Sequence, residues 1–175
     1  MIHNPVDDHL VVFGGLYDNY LNDLWVMTRA PVAWWFPIAV PGTRPSPRLG
    51  HAAIYDPARH RMLVIGGFDG TLRNDVWEYA PLVAGVWREL QPAGPLMPPR
   101  SSHSAVYDPL RDRVLVFGGD GGTFLDDVWE LKLGGTPEWH ALTPEGARPG
   151  GRREHTAIYY AMWDQMVVFG GFDGA

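Results

Sequence analysis

The chain has 175 residues, a length suited to one domain, with 46% hydrophobic residues including 8 Trp, 7 Tyr and 7 Phe, which excludes a disordered chain. Its net charge of −6, with no block of Lys or Arg, argues against nucleic acid as a partner. No cysteine is present, which removes disulfides, thiol nucleophiles and thiolate metal sites. The absence of any run near 18 apolar residues argues against a membrane span. Met1 leads into "IHNPVDD" without a basic start and an apolar stretch, so no signal peptide is visible and a cytoplasmic setting is the default expectation.

The elements recur along the chain. The runs VVFGG (11–15), LVIGG (63–67), LVFGG (115–119) and VVFGG (167–171) follow one another at intervals of 52 residues. Residues 48–99 and 100–151 are identical at 22 of 52 positions without a gap. The frame divides the chain into a partial unit at 1–47, whole units at 48–99 and 100–151, and a partial unit at 152–175.

Each whole unit holds four short runs rich in β-branched and aromatic residues. In 48–99 they are 51–55, 62–65, 75–79 and 87–90, predicted as strands a, b, c and d. The a–b connections "DPARHR" and "DPLRDR" suit type I turns. The glycine pair is expected to close strand b, supplying positive φ and room for a neighbouring backbone. Trp25, Trp77 and Trp129 fall on strand c and Trp35, Trp87 and Trp139 on strand d, where flat rings fill the space between adjacent sheets. Four strands per repeat of about 50 residues is the pattern of a β-propeller blade, which cannot bury both faces alone.

The segments "RLGHAAIY", "RMLVIGG", "NDVWEY" and "WREL", with their relatives in the other units, resemble the Kelch repeat. The resemblance covers essentially the whole chain and implies an all-β, Kelch-type β-propeller. With b–c–d, two full sets and a–b, the chain is expected to hold 13 strands, about three blades. It would then expose a Trp-rich blade face at each end. A head-to-tail homodimer closing a six-bladed ring would cover those faces, strand a of one chain completing b–c–d of the other; that these residues are a piece of a longer propeller or one half of a split one is the competing reading.

The repeated Arg48, Arg100 and Arg152 open strand a near the channel mouth and are candidates for touching a ligand. The repeated His51, His103 and His155 are expected to be structural, hydrogen-bonded between blades, rather than a metal site. Turn-fixing hydrogen bonds are the expected role of Asp23, Asp75 and Asp127. The b–c loops (16–22, 68–74, 120–126) and d–a loops (39–47, 91–99, 143–151) fall on one face of the disc, where the resemblance places ligands. There Tyr17, Tyr20, Phe68, Leu72, Phe124 and Leu125 are candidate anchors ringed by Asp18, Asp69, Arg73 and Asp126.

No EF-hand spacing, phosphate loop or G-x-S-x-G is present, and no cofactor or metal is expected. Copper-radical oxidases built on this fold use a Tyr–Cys cross-link, which a chain without Cys cannot make. The reading that follows is a non-catalytic scaffold binding a protein or peptide. An enzyme or carbohydrate-binding domain with a site at the channel mouth, and a propeller fragment without its own ligand, are the alternatives. Trp77→Ala is expected to cost about 3–5 kcal/mol, measured as a lowered denaturant midpoint.

Overall fold

The computed structural model describes residues 1–29, 32–80 and 85–174. Among these the regular structure is entirely β. Three four-stranded antiparallel sheets and one two-stranded sheet follow one another in chain order. The first contains β1 (Ile2–Asn4), β2 (His9–Leu16), β3 (Tyr20–Thr28) and β4 (Trp34–Pro37). The second contains β5 (Ala52–Asp56), β6 (Arg61–Phe68), β7 (Leu72–Ala80) and β8 (Val86–Leu90). The third contains β9 (Ser104–Asp108), β10 (Arg113–Phe117), β11 (Val128–Lys132) and β12 (Glu138–Leu142), and the last pairs β13 (Thr156–Tyr160) with β14 (Gln165–Phe169). Each strand pairs with its neighbour in sequence, and β1, β5, β9 and β13 lie side by side in turn, so the sheets fan from a common inner edge. The fold is a Kelch-type β-propeller segment.

Two details differ from the sequence expectation. Fourteen strands are described rather than 13, because residues 2–4 pair with 9–11 and give the first sheet its own short strand a. The glycine pair does not close strand b in the first two sheets: β2 and β6 continue through a bulge, at Phe13/Gly15 and Ile65/Gly67, to Leu16 and Phe68. Gly66 has φ +57, and a Cβ there would stand 2.9 Å from the Arg73 carbonyl oxygen and 3.0 Å from that of Arg100. A side chain at this position would push the next blade away.

The sheets have two unlike faces. The face toward the preceding blade carries tryptophan: Val64, Trp77, Tyr79 and Trp87 in the second sheet, Val114, Val116, Trp129, Leu131 and Trp139 in the third. The face toward the following blade is aliphatic, with Ile54, Leu63, Ile65 and Val76 in the second sheet. Leu63, Val64 and Ile65 are all fully buried, because β6 is covered on both sides. Each such side chain contributes about 1.5–3 kcal/mol by burial.

At the arc's ends the same faces are open. In the first sheet Trp25 and Trp35 are 36% and 48% exposed where Trp77 and Trp87 are 7% and 6% exposed. On the last sheet Ile158, Val167 and Phe169 occupy the places of Ile54, Leu63 and Ile65 and are exposed. That two-stranded sheet covers only part of the third, leaving a cleft of about 440 Å³ lined by Leu115, Phe117, Val128, Leu142, Met166 and Val168.

The histidines line the inner edge. His51 bonds to the backbone of Phe13, and Ser104 Oγ is 2.8 Å from His155 Nε2. The expected hydrogen bonding between blades does not extend to His103, whose ring nitrogens are buried without a hydrogen-bond partner among the described residues. Burial, then the positive N-terminus and Arg48, lowers His51 to about 4; burial, then Arg100, His51 and His155, lowers His103 to about 3. Burial followed by Arg152 lowers His155 as well.

These imidazoles are neutral in the fold and protonate near pH 6.5 when unfolded. The unfolded state therefore takes up protons first, and stability falls as pH drops below about 6.5. Between pH 7.5 and 5.0 the loss is expected to be about 2 kcal/mol for each of His51 and His103, read from urea midpoints. His103→Asn should remove its share of that slope.

Candidate functional site

The b–c and d–a loops meet at one end of the blades. Asn22 Nδ2 donates to the Pro45 carbonyl at 3.2 Å, and Asn74 Nδ2 to the Met97 carbonyl at 2.8 Å, so the first loop of each blade is tied to the second. Backbone bridges Leu49–Phe68, Ser101–Asp120 and Arg153–Phe172 recur on this edge within the successive copies, and the amides of Gly15, Gly67 and Gly119 join one copy to the next by donating to the carbonyls of Arg48, Arg100 and Arg152.

Three clusters stand on it. Over the first seam Tyr20 meets Phe68 edge-to-face with ring centroids 6.0 Å apart. Beside them Asp69 accepts from Ser46 Oγ at 2.5 Å, Arg73 Nε at 2.8 Å and Thr71 Oγ1 at 3.1 Å. Burial alone would raise the Asp69 carboxyl, but the hydrogen bonds from Ser46, Arg73 and Thr71 outweigh it and hold the group at about 2. Asp69 is thus a fixed anion at neutral pH, unsuited to proton transfer. Over the third seam the Arg153 guanidinium lies 5.4 Å from the Phe124 ring centre and 5.7 Å from that of Phe172, with Asp120 accepting from it at 3.2 Å.

The candidates from sequence thus divide. Tyr17 is 83% exposed, and Asp18 and Asp126 are exposed beside the same turns. Tyr20, Phe68, Leu72, Phe124 and Leu125 are half-buried, with the rings of Tyr20 and Phe68, and of Phe124 and Phe172, packed edge-to-face across neighbouring units. The Arg73 side chain is half-exposed, held to Asp69.

Arg48 and Arg100, proposed from sequence as ligand contacts, are 1% and 0% exposed. Arg48 donates to both carboxylate oxygens of Asp75, at 2.6 and 2.8 Å, and to the Gly66 carbonyl at 2.9 Å. Arg100 repeats this with Asp127 and Gly118. Their guanidinium groups are used up inside the blade, which leaves nothing to offer a ligand. Arg152 is only partly buried and donates to the carbonyls of Gly150 and Gly170. Asp75 and Asp127 take these arginines and the indole N–H of Trp77 or Trp129 rather than fixing a turn, and Asp23 takes the indole N–H of Trp25.

Arg153, Phe172, Ser46 and Asp120 escaped the sequence reading. The signal lay in variation between copies: one repeat position reads Leu49, Ser101, Arg153, and another reads Leu16, Phe68, Asp120, Phe172. A chemistry that appears in one blade only marks a surface position. Among the described residues no group of three His, Asp or Glu side chains is arranged to hold a metal ion.

Arg100→Ala would leave Asp127 as a poorly compensated anion and strip the cap from Gly118. A loss of about 3–5 kcal/mol is expected, with Arg100→Lys recovering only part of it, measured by urea unfolding.

A family model described as the KLHDC2/KLHL20/DRC7 Kelch-repeats domain matches residues 69–175. The leucine-zipper-like transcriptional regulator 1 homolog of Drosophila melanogaster is 35% identical over 181 residues, covering 95% of this chain and 17% of the relative. Human host cell factor 1 is 29% identical over 187 residues, covering 93% of this chain and 9% of the relative. The alpha chain of the flagellar outer arm dynein of Chlamydomonas reinhardtii is 30% identical over 184 residues, covering 95% of this chain and 4% of that protein. The chain thus spans less than a fifth of the length of each of these three relatives. The solved structure titled "Structure of YjhT" superposes with a TM-score of 0.72 at 20% identity, over 94% of this chain and 56% of that one, and shares its fold. The repeats, the fanned four-stranded sheets and the family match together place this chain in the Kelch-repeat family.

Proposed function

We propose that the chain is a non-catalytic binding module whose b–c and d–a loop face engages a protein or peptide. The observation that carries this reading is the character of that face: an exposed Tyr17, the half-exposed Arg73, and Arg153 packed against the edge-to-face pair Phe124 and Phe172, beside acidic groups already committed to hydrogen bonds. The segment also recurs in relatives whose names have nothing in common, a transcriptional regulator, a host cell factor and a dynein chain, which suits a reusable surface better than one fixed chemistry. We take 48–99 and 100–151 as whole blades, 1–47 as a third that its own short β1 completes, and 152–175 as a partial one.

The partner needed to complete the ring is, in this proposal, a second copy. The open tryptophan face at one end matches, residue for residue along the repeat, the faces that internal blades bury against aliphatic neighbours. Two copies supply six four-stranded sheets. At each junction the chains bring two a–b pairs for one place. The pair β1–β2 keeps it, since β2 is already hydrogen-bonded to β3 within a four-stranded sheet.

Light scattering should give twice the 19.5 kDa chain mass, and Trp35→Glu should return it to one. A wild-type monomer overturns closure. For the loop face, a random peptide display library is panned on the protein. Peptides enriched on the wild type should lose binding to a Tyr17→Ala, Arg153→Ala double variant; failure to enrich any, or binding unchanged by the variant, overturns the assignment.

A further inference from the structure

On the outer side of the first seam, at the a–b turns and away from the loop face, lies a cleft of about 330 Å³. Its walls include Val11, Val26, Phe36 and Ile38 from the first sheet and Met62 and Tyr79 from the second. Asn4, Asp7 and His9 also line it, and Asn4 Nδ2 donates to Asp7 Oδ2 at 2.9 Å.

One repeat along, the same positions are filled by ions. Asn4, Asp7, His9, Val26 and Phe36 correspond to Asp56, Arg59, Arg61, Glu78 and Arg88. There Arg61 pairs with Asp56 and Glu78, Arg88 pairs with Glu78, and Arg59 reaches across to Asp112 at 2.6 Å and to the Leu133 carbonyl at 2.8 Å. Three long cationic side chains thus occupy the region at the second seam. At the first seam the three arginines are replaced by Asp7, His9 and Phe36 and the two acids by Asn4 and Val26, so that the one carboxylate of the set is Asp7, standing in the place of Arg59.

We infer that this cleft is a binding site for a compact organic cation, a ligand with an aromatic or branched aliphatic body the size of an amino-acid side chain and a single ammonium or guanidinium group. The body lies against Val26, Phe36 and Tyr79, and the cation points to Asp7. The size and the ratio of apolar wall to polar groups suit such a ligand. The sign of the charge follows from the carboxylate and from the absence of arginine or lysine among the lining residues. Asp7 is exposed and takes no ionic partner among the described ion pairs, whereas the adjacent Asp8 is already held by His3 and Arg29. The site depends on β1 and β2 in the first sheet and not on the loop face, so it stands or falls separately from the peptide-binding reading.

The test uses phenethylammonium as probe, with 2-phenylethanol and 3-phenylpropionate as its neutral and anionic counterparts. Binding is followed through methyl resonances of Ile2, Val11 and Met62, with Ile54 and Leu63 of the second seam as controls. Saturable shifts confined to the first group are expected for the ammonium, about fivefold tighter than for the alcohol, as a partly exposed ion pair provides. Asp7→Asn, an exposed position, should equalise the two while leaving the melting temperature in place. Val26→Phe should block both by filling the space; if it unfolds the chain, the Asp7→Asn comparison decides alone. Equal binding of all three probes, a preference that survives Asp7→Asn, or no saturable shift would overturn the assignment.

Discussion

One arginine per blade joins this arc together. The Arg48 amide donates to the Leu21 carbonyl and its own carbonyl accepts from the Gly15 amide, both in the first blade. Its guanidinium meanwhile grips Asp75 and Gly66 in the second. Arg100 does the same between the second and third. A single residue thus fixes the distance and the angle between consecutive sheets. The double glycine follows from that arrangement, since the first glycine must let the arginine's carbonyl come close and the second must donate its amide to it. Around this pin the tryptophan and aliphatic faces do the bulk of the stabilising by burial.

Much of this was legible in the sequence. The unvarying period, the four apolar runs and the placement of six tryptophans specify blade, strand order and seam, because stacked identical units impose identical constraints at identical positions. What periodicity conceals is direction. It marks Arg48 and Arg100 as important without saying that a bidentate bond to a carboxylate 27 residues on draws them inward. An arginine at a channel mouth and one sealed within a blade have the same letter and spacing. The first sheet's short strand a was missed for a related reason: "IHN" is too brief to read as a strand until β2 lies beside it.

The loop face was legible only in outline. Its composition identified Tyr17, Phe68 and Phe124, but the cluster of Arg153 with Phe124 and Phe172 needs two turns from different units brought within reach. Such contacts have no signature at fixed spacing. They arise where copies have drifted apart while the scaffold beneath has not, which is how a repeat fold acquires a distinct surface without losing its geometry.

The arginine that crosses each outer seam has a mechanical corollary. Arg59 ties the second blade to the third and Arg111 ties the third to β13–β14 through Asp164, but the first blade has Asp7 at that place. Among the described residues the first seam therefore lacks the ionic tie that spans the second and third, and its outer side is held by apolar contact alone. Because β6 is covered on both sides, amide protons of β2 and β3 are expected to exchange with solvent ahead of those of β6 and β7.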